Sequence, residues 1–310
     1  MLSPAMAFSI DHRPVTDRLR RFGRRVPWVG ATWRVVSSAL VRFDGDDGWA
    51  IASHVALSLL LSLFPFLVIV GTLATVFGSQ ELATEATQLV FSTWPRGVAD
   101  PLATEVTAVL QRPRGSLLTV SFIASIWVAS NGIEALRLAL NRAYRSSEDR
   151  GLIFRRLQSL GFVAFGSVTM LAVGVLLVLG PIGWSSAVLF APWIVTFTGV
   201  FHLARFFLAG MIIVVALVAA HVWLPAGRRR FADLLPGIVA TLVLWMIGAA
   251  GFGYYLQDFA NYAATYAGLA GIMTAIVFLY ISAGLLILGA EINSALLRYR
   301  SERALMPEPD

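Results

Sequence analysis

The chain of 310 residues contains no cysteine and no lysine. The first absence excludes disulfides, thiolate metal sites and cysteine nucleophiles. The second excludes Schiff-base chemistry and P-loop phosphate binding, which both require a lysine amine. Charge is scarce: 14% of residues are Asp, Glu, Lys or Arg, against roughly a quarter in an ordinary globular protein. With 57% hydrophobic residues the chain is not disordered. Its 26 glycines and 13 prolines follow no fibre period. There is no H-E-x-x-H motif and no acidic cluster, so no metal and no cofactor is expected. All 24 basic residues are arginine, which gives a net charge of +6. In a chain of mean hydropathy +0.74, arginines more often flank membrane spans than bind nucleic acid, and no specific nucleic-acid partner is expected.

What is present is apolar runs. A helix needs about 20 apolar residues to cross the hydrocarbon core. The runs predict an all-α polytopic bundle of six spans near 50–77, 115–135, 157–179, 203–224, 234–256 and 268–290. The 48 residues from Leu157 to Ala204 carry no charge and have room for a seventh span. Arginine placement decides against it. With six spans, the cytosolic pieces 1–48, 134–156, 225–233 and 291–310 hold 8, 6, 3 and 3 arginines, whereas a seventh span would push Arg228, Arg229 and Arg230 outside. Gly180-Pro181-Ile182-Gly183-Trp184 reads as a break, and 184–201 as an outer interfacial or re-entrant segment. The expected address is a bacterial inner membrane, multi-pass, with both termini cytoplasmic. The spans lie within 49–297, between a cytosolic amphipathic region, 1–48, and a disordered tail, 298–310.

In the N-terminal region, Val15, Leu19, Phe22, Val26, Val29, Trp33, Val36, Leu40 and Phe43 alternate spacings of 4 and 3, an amphipathic stripe. Pro14 and Pro27 suit first-turn positions, so two helices on the inner leaflet are expected. The outer loop 78–114 shows two short apolar faces, and Asp100-Pro101 reads as a helix start.

Several polar residues share faces. Ser130, Glu134, Arg137, Asn141 and Arg145 continue span 2 on one side, and Gly132, Ala135, Ala139 and Ala143 line the opposite side. The small side suits close packing. The polar side, with Glu134, Arg137 and Asn141, reads either as a lined pathway at the inner mouth or as structural anchoring with an intrahelical ion pair. In span 1, His54, Ser58 and Ser62 recur every four residues, and Pro65 leaves the carbonyl of Leu61 without its donor. This is a hinge beside a polar seam, or a static kink with hydroxyls bonded to backbone. His202 and Arg205, one turn apart at the outer entrance of span 4, suit an anionic headgroup, or the arginine snorkels. Gly268, Gly271, Ala275, Ser282, Gly289 and Asn293 form a close-packing seam on span 6, with Glu291 pointing away at the cytosolic boundary.

At these residues the chain resembles the YihY/BrkB family of bacterial inner-membrane proteins, once labelled ribonuclease BN. The segments that carry the resemblance are SLFPFL at 62–67, ALRLALNRAYR at 135–145, LPAGRRRFADLLPG at 224–237, NYAATYAGLAG at 261–271 and LGAEINSALL at 288–297. The resemblance implies six spans with both ends cytosolic, and carries over no catalytic residue. Two readings of function follow. One is transport or lipid and amphiphile handling in the cell envelope, with membrane lipids as partners and a homo-oligomer open. The other is a non-transporting structural or assembly factor. An enzyme is not expected: a nuclease needs clustered carboxylates or a histidine pair in a wet site, and the cytosolic pieces supply neither.

Overall fold

A computed structural model describes residues 27–77 and 116–305. The expected helices in 1–26 and 78–114, and the end of the tail from 306, lie outside the described residues, while the start of the expected disordered tail, 298–305, is helical. Among those described there is no strand. The elements are α1 (Pro27–Gly45), α2 (Gly48–Phe77), α3 (Ser116–Ala143), α4 (Leu152–Gly174), a π-helical turn (Val175–Leu179), α5 (Gly180–Phe190), a 3-10 segment (Pro192–Phe197), α6 (Thr198–Trp223) and α7 (Phe231–Leu305).

Each boundary has a local cause. The chain turns between α1 and α2 at Asp47, whose φ of 55° is left-handed. Gly48 follows because a Cβ there would lie 2.6 Å from both the ring and the carbonyl of Phe43. Helix α2 runs through Pro65 without ending. Five stretches are long and apolar enough to cross a membrane: Ile123–Ala143, Leu152–Phe190, Pro192–Trp223, Phe231–Tyr255 and Met273–Arg303. Helix α2 adds a shorter apolar stretch, Gly48–Leu63, to these five. The six-span bundle is therefore the architecture, with two differences from the expected bounds.

The first difference is α7. It is one helical run of 75 residues, which if straight would make a rod of about 112 Å at 1.5 Å per residue. Yet Gly237 N donates to Asn293 Oδ1 at 2.6 Å, and the rings of Phe252 and Phe278 lie 5.7 Å apart. The run therefore doubles back between Phe252 and Phe278, and its two arms pack antiparallel as the last two spans. The expected loop, 257–267, is helical because it contains neither glycine nor proline.

The second difference is at 184–201. No break occurs at Gly180-Pro181. The π turn carries α4 directly into α5, with Gly180 N bonded to Val175 O. The helix ends only at Ala191, whose φ of −137° and ψ of 78° are non-helical, as suits a residue before a proline. The stretch is thus the joined ends of two long helices. Trp184 stacks on Phe201 at 4.3 Å, and its indole N–H donates to Thr198 Oγ1 at 3.1 Å.

Helix α3 lies at the centre. Its small face is buried: Ala135, Ala139 and Ala143 join Ala52 and Val55 of α2, and Ala283, Ile287 and Ala290 of α7, in the main core. A Cβ on Gly132 would sit 3.1–3.2 Å from Leu59 and Ser62. Helix α1 lays Val35 and Ala39 on Ala295 of α7. The α4–α5 and α6 helices leave most of their apolar side chains facing outward, as a membrane allows.

Candidate functional site

The polar residues gather at the end of the bundle where the arginines concentrate. Here the α3–α4 link (144–151), the α6–α7 link (224–230) and the α1–α2 turn meet. The network starts at the end of α3. Asn141 donates to Glu148 Oε2 at 2.8 Å, and its Oδ1 accepts from Ala226 N at 2.6 Å. Glu148 holds Arg150 by two bonds of 2.6 Å, from Nε and from Nη2. Arg150 Nη2 also donates to the carbonyl of Leu224 at 2.9 Å, and Gln158 donates to that of Trp223. These last carbonyls of α6 have no intrahelical donor, so side chains from the neighbouring link cap them.

The charges respond to this packing. The Arg150 hydrogen bonds hold the Glu148 carboxyl down at about 2, with Asn141 adding to the effect. Glu148 in turn raises Arg150 above its ordinary value. Burial pushes the Tyr144 hydroxyl up to about 12 against the opposing bond from Asn293. Burial also lowers Arg229, whose guanidinium lies 4.1 Å over the Tyr144 ring and donates to Ser146 Oγ and to Ala226 O.

Glu134 and Arg137 form an ion pair of 2.6 Å. Arg137 is only 2% exposed. It does not face a vestibule: Nη2 donates to the carbonyl of Arg155 at 2.7 Å and to Ser159 Oγ at 2.5 Å, and Ser159 donates to Glu134 Oε1 at 2.8 Å. The group ties α3 to α4. The polar and the small sides of α3 are both buried because helices pack on both of them.

In α2 the seam divides. His54 is exposed, Ser58 is half-buried and Ser62 is buried. Ser62 Oγ donates to Val128 O at 3.2 Å and accepts from Gly132 N at 3.0 Å, so it clips α2 to α3. Pro65 lies half-buried within α2. His202 and Arg205 stand apart from the network, on α6. Asn293 sits on the α7 seam, as its stripe requires. Besides accepting from Gly237 N, it donates to Leu234 O at 2.9 Å and to Tyr144 Oη at 3.2 Å. Gly289 meets Gly237 and Thr241 there. The surroundings of Gly268 and Gly271 lie outside what is described.

Tyr144, Glu148, Arg150 and Gln158, not singled out from sequence, complete the site together with His221 and Glu291. His221 is fully buried. Its Nδ1 bonds Leu217 O at 2.8 Å, its ring lies edge-on to Tyr144 at 6.2 Å, and Nε2 has no hydrogen-bond partner among the described residues. Glu291 is 1% exposed, and its Oε2 likewise has none among them. Tyr144, Glu148 and Arg150 carried no sequence signal beyond their place in the α3–α4 link, while Gln158, His221 and Glu291 lie on helices α4, α6 and α7. Among the described residues no three His, Asp or Glu side chains group as metal ligands do.

A cleft of about 430 Å³ opens at this end, lined by Asp46, Leu138, Asn141, Arg142, Arg145, Ser146, Ser147 and Glu148. Arg145 spans it to Asp46 at 2.6 Å. Arg142 is exposed, and its guanidinium has no hydrogen bond or ion pair among the described residues. One turn below it, Leu138 is 58% exposed. The cleft thus sets an unpaired cation over an apolar side chain at the edge of the apolar bundle.

The family profile described as Virulence factor BrkB matches residues 39–309. The ribonuclease-like protein YfkH of Bacillus subtilis is 32% identical over 257 residues, covering 82% of this chain and 92% of that protein. A UPF0761 membrane protein of Rhodospirillum centenum is 27% identical over 300 residues, 95% of this chain and 65% of its own length. Another, of Xanthomonas axonopodis pv. citri, is 25% identical over 299 residues, 94% of this chain and 66% of its own. The chain spans about two thirds of the length of these two membrane proteins. No solved structure matches.

Proposed function

This chain belongs to the virulence factor BrkB family of membrane proteins, and from that premise we propose that it handles an amphiphile in the cell envelope, moving or presenting it at the inner leaflet. The observation that carries this reading is the cleft, where Arg142 stands unpaired above exposed Leu138. A guanidinium suits a phosphate or carboxylate head, and the apolar flank suits the start of an acyl chain. In this reading the arginine-rich end and both termini face the cytosol, membrane lipids are the partners, and Asn141 and Glu148 hold the cleft's shape. The test is reconstitution of the purified protein into vesicles with labelled anionic lipid, labelled zwitterionic lipid and small osmolytes. Protein-dependent movement of the anionic lipid, weakened by Arg142→Gln, is the expected result. No protein-dependent movement of any solute rejects it.

A second reading, a non-transporting assembly factor, draws on Ser62, Arg137, Asn141 and Asn293, each engaged with the backbone of a neighbouring element. Crosslinking in native membranes would then recover a stable partner. Recovery of the chain alone, with lipid movement in pure vesicles, rejects that reading. We propose no ribonuclease activity. The ribonuclease-like name belongs to the Bacillus relative, and RNA cleavage that persists in protein purified free of contaminating nuclease would reverse this.

A further inference from the structure

Arg205 is the one Asp, Glu, Lys or Arg between Arg156 and Arg228. It lies 18 residues before Trp223, so about 27 Å along α6 from the arginine-rich end, close to the full thickness of the hydrocarbon core. Its surroundings follow from Pro181. Proline has no N–H to give the carbonyl four residues back, that of Leu177. Arg205 Nη1 points at this carbonyl from 3.5 Å, beside the π turn Val175–Leu179. The guanidinium is therefore drawn sideways onto the neighbouring helix, at the level of its own turn, and does not reach along α6 for the end of the bundle.

A carbonyl satisfies an N–H but does not neutralise a charge. Arginine stays protonated in proteins, and Arg205 forms no ion pair among the described residues. Its Nε has no hydrogen-bond partner among the described residues, and its Cζ lies 4.6 Å from the Phe206 ring. His202 is one turn towards the tip, half-buried, with its ring 5.8 Å from that of Phe201. A guanidinium at the edge of the hydrocarbon with no acidic partner among the described residues keeps donors open, and an anion held by the guanidinium fork satisfies them.

We propose that Arg205 and His202 form a binding site for a phosphate-bearing anion at the end of the bundle opposite the cleft. The phosphate belongs to a lipid headgroup or is free in solution. Leu177 fixes one edge of the guanidinium, the remaining donors meet the phosphate, and His202 adds an N–H. The site involves neither the cleft nor Arg142, so it stands whether or not the amphiphile reading does.

The test is native mass spectrometry of the full-length protein in detergent. An Arg142→Gln background disables the cleft's free charge. This parent retains phosphatidylglycerol over phosphatidylcholine, and Arg205→Gln cuts that preference roughly tenfold, the size of one charge-assisted hydrogen bond. Adding inorganic phosphate distinguishes the sources. Displacement of the lipid marks a site that takes free phosphate, and persistence marks a headgroup site. Should Arg205→Gln fail to fold, His202→Gln carries the test, because its ring makes only an edge contact. A parent without the preference, or a folded variant that keeps it in full, overturns the proposal. A failed vesicle assay alongside a positive result here would reject amphiphile handling alone.

Discussion

Asn293 and Gly237 set how close the two arms of α7 lie. The amide of Asn293 takes both the N–H of Gly237 and the carbonyl of Leu234, next to Pro236, where the helical ladder is already broken. A Cβ on Gly237 would lie 2.1 Å from the Gly289 carbonyl and 2.5 Å from Asn293 Cγ. Gly237→Ala is therefore expected to destabilise the protein by about 1–3 kcal/mol, as overpacking does. Gly161→Ala is the control: nothing lies within 4 Å of its Cβ position, and a gain of about 0.5–1 kcal/mol is expected for a helical glycine. Thermal melts of both in detergent decide the pair. Glu148 gives a pH dependence at the same scale. Its carboxyl falls from an ordinary 4.5 to about 2 in the folded protein, so its contribution is complete above 4.5 and fades as the pH drops through 2. The melting-temperature advantage of the wild type over Glu148→Gln should be constant from pH 7 to 5 and shrink below 4.5. An advantage that grows with acid would contradict the assignment.

At the scale of elements, Arg137 joins α3 to α4 through Glu134, Ser159 and the carbonyl of Arg155. Removing it leaves Glu134 and two acceptors without their donor. Arg137→Ala should cost about 3 kcal/mol, the low end for a broken buried pair because Glu134 keeps some solvent. Abundance and activity should fall together. The exchange Glu134→Arg with Arg137→Glu should not rescue either, since a carboxylate at 137 would face the Arg155 carbonyl. Full rescue by the exchange would show that the pair acts alone. Pro65 belongs to the same scale. Helix α2 runs through it for twelve further residues, and Phe66 beside it packs against Ile69, Ala129 and Val163. If Pro65 is a hinge, Pro65→Ala alters activity more than abundance; equal loss of both means that it only packs.

The described residues form a bundle with one polar, arginine-rich end and one apolar tip. A chain without cysteine makes its orientation easy to measure. Arg228 is exposed on the α6–α7 link, and Ser147 is exposed on the α3–α4 link. Leu189, 82% exposed, lies at the far end of α5. Cysteines at 228 and 147 should both react with an impermeant maleimide only from the cytosolic side, and one at 189 only from the other. Labelling of 228 and 147 from opposite sides would break the six-span topology.

The count and order of the spans, and the end at which arginines gather, were determined by the sequence alone. Hydropathy and charge act over windows of about 20 residues, and a membrane sorts such windows without reference to their neighbours. The small face of α3 and the seam at Gly289 and Asn293 were legible for the same reason, since helical spacing places them side by side. Only the tertiary structure decided what the polar residues do. Arg137 meets Ser159 across 22 positions, Gly237 meets Asn293 across 56, and Asn141 meets Ala226 across 85. No local pattern specifies these partners, because each depends on which helices are neighbours and at what register. Glu148, Arg150 and Gln158 stayed hidden for that reason. They are ordinary loop and helix-end residues until the carbonyls at the end of α6 are brought against them.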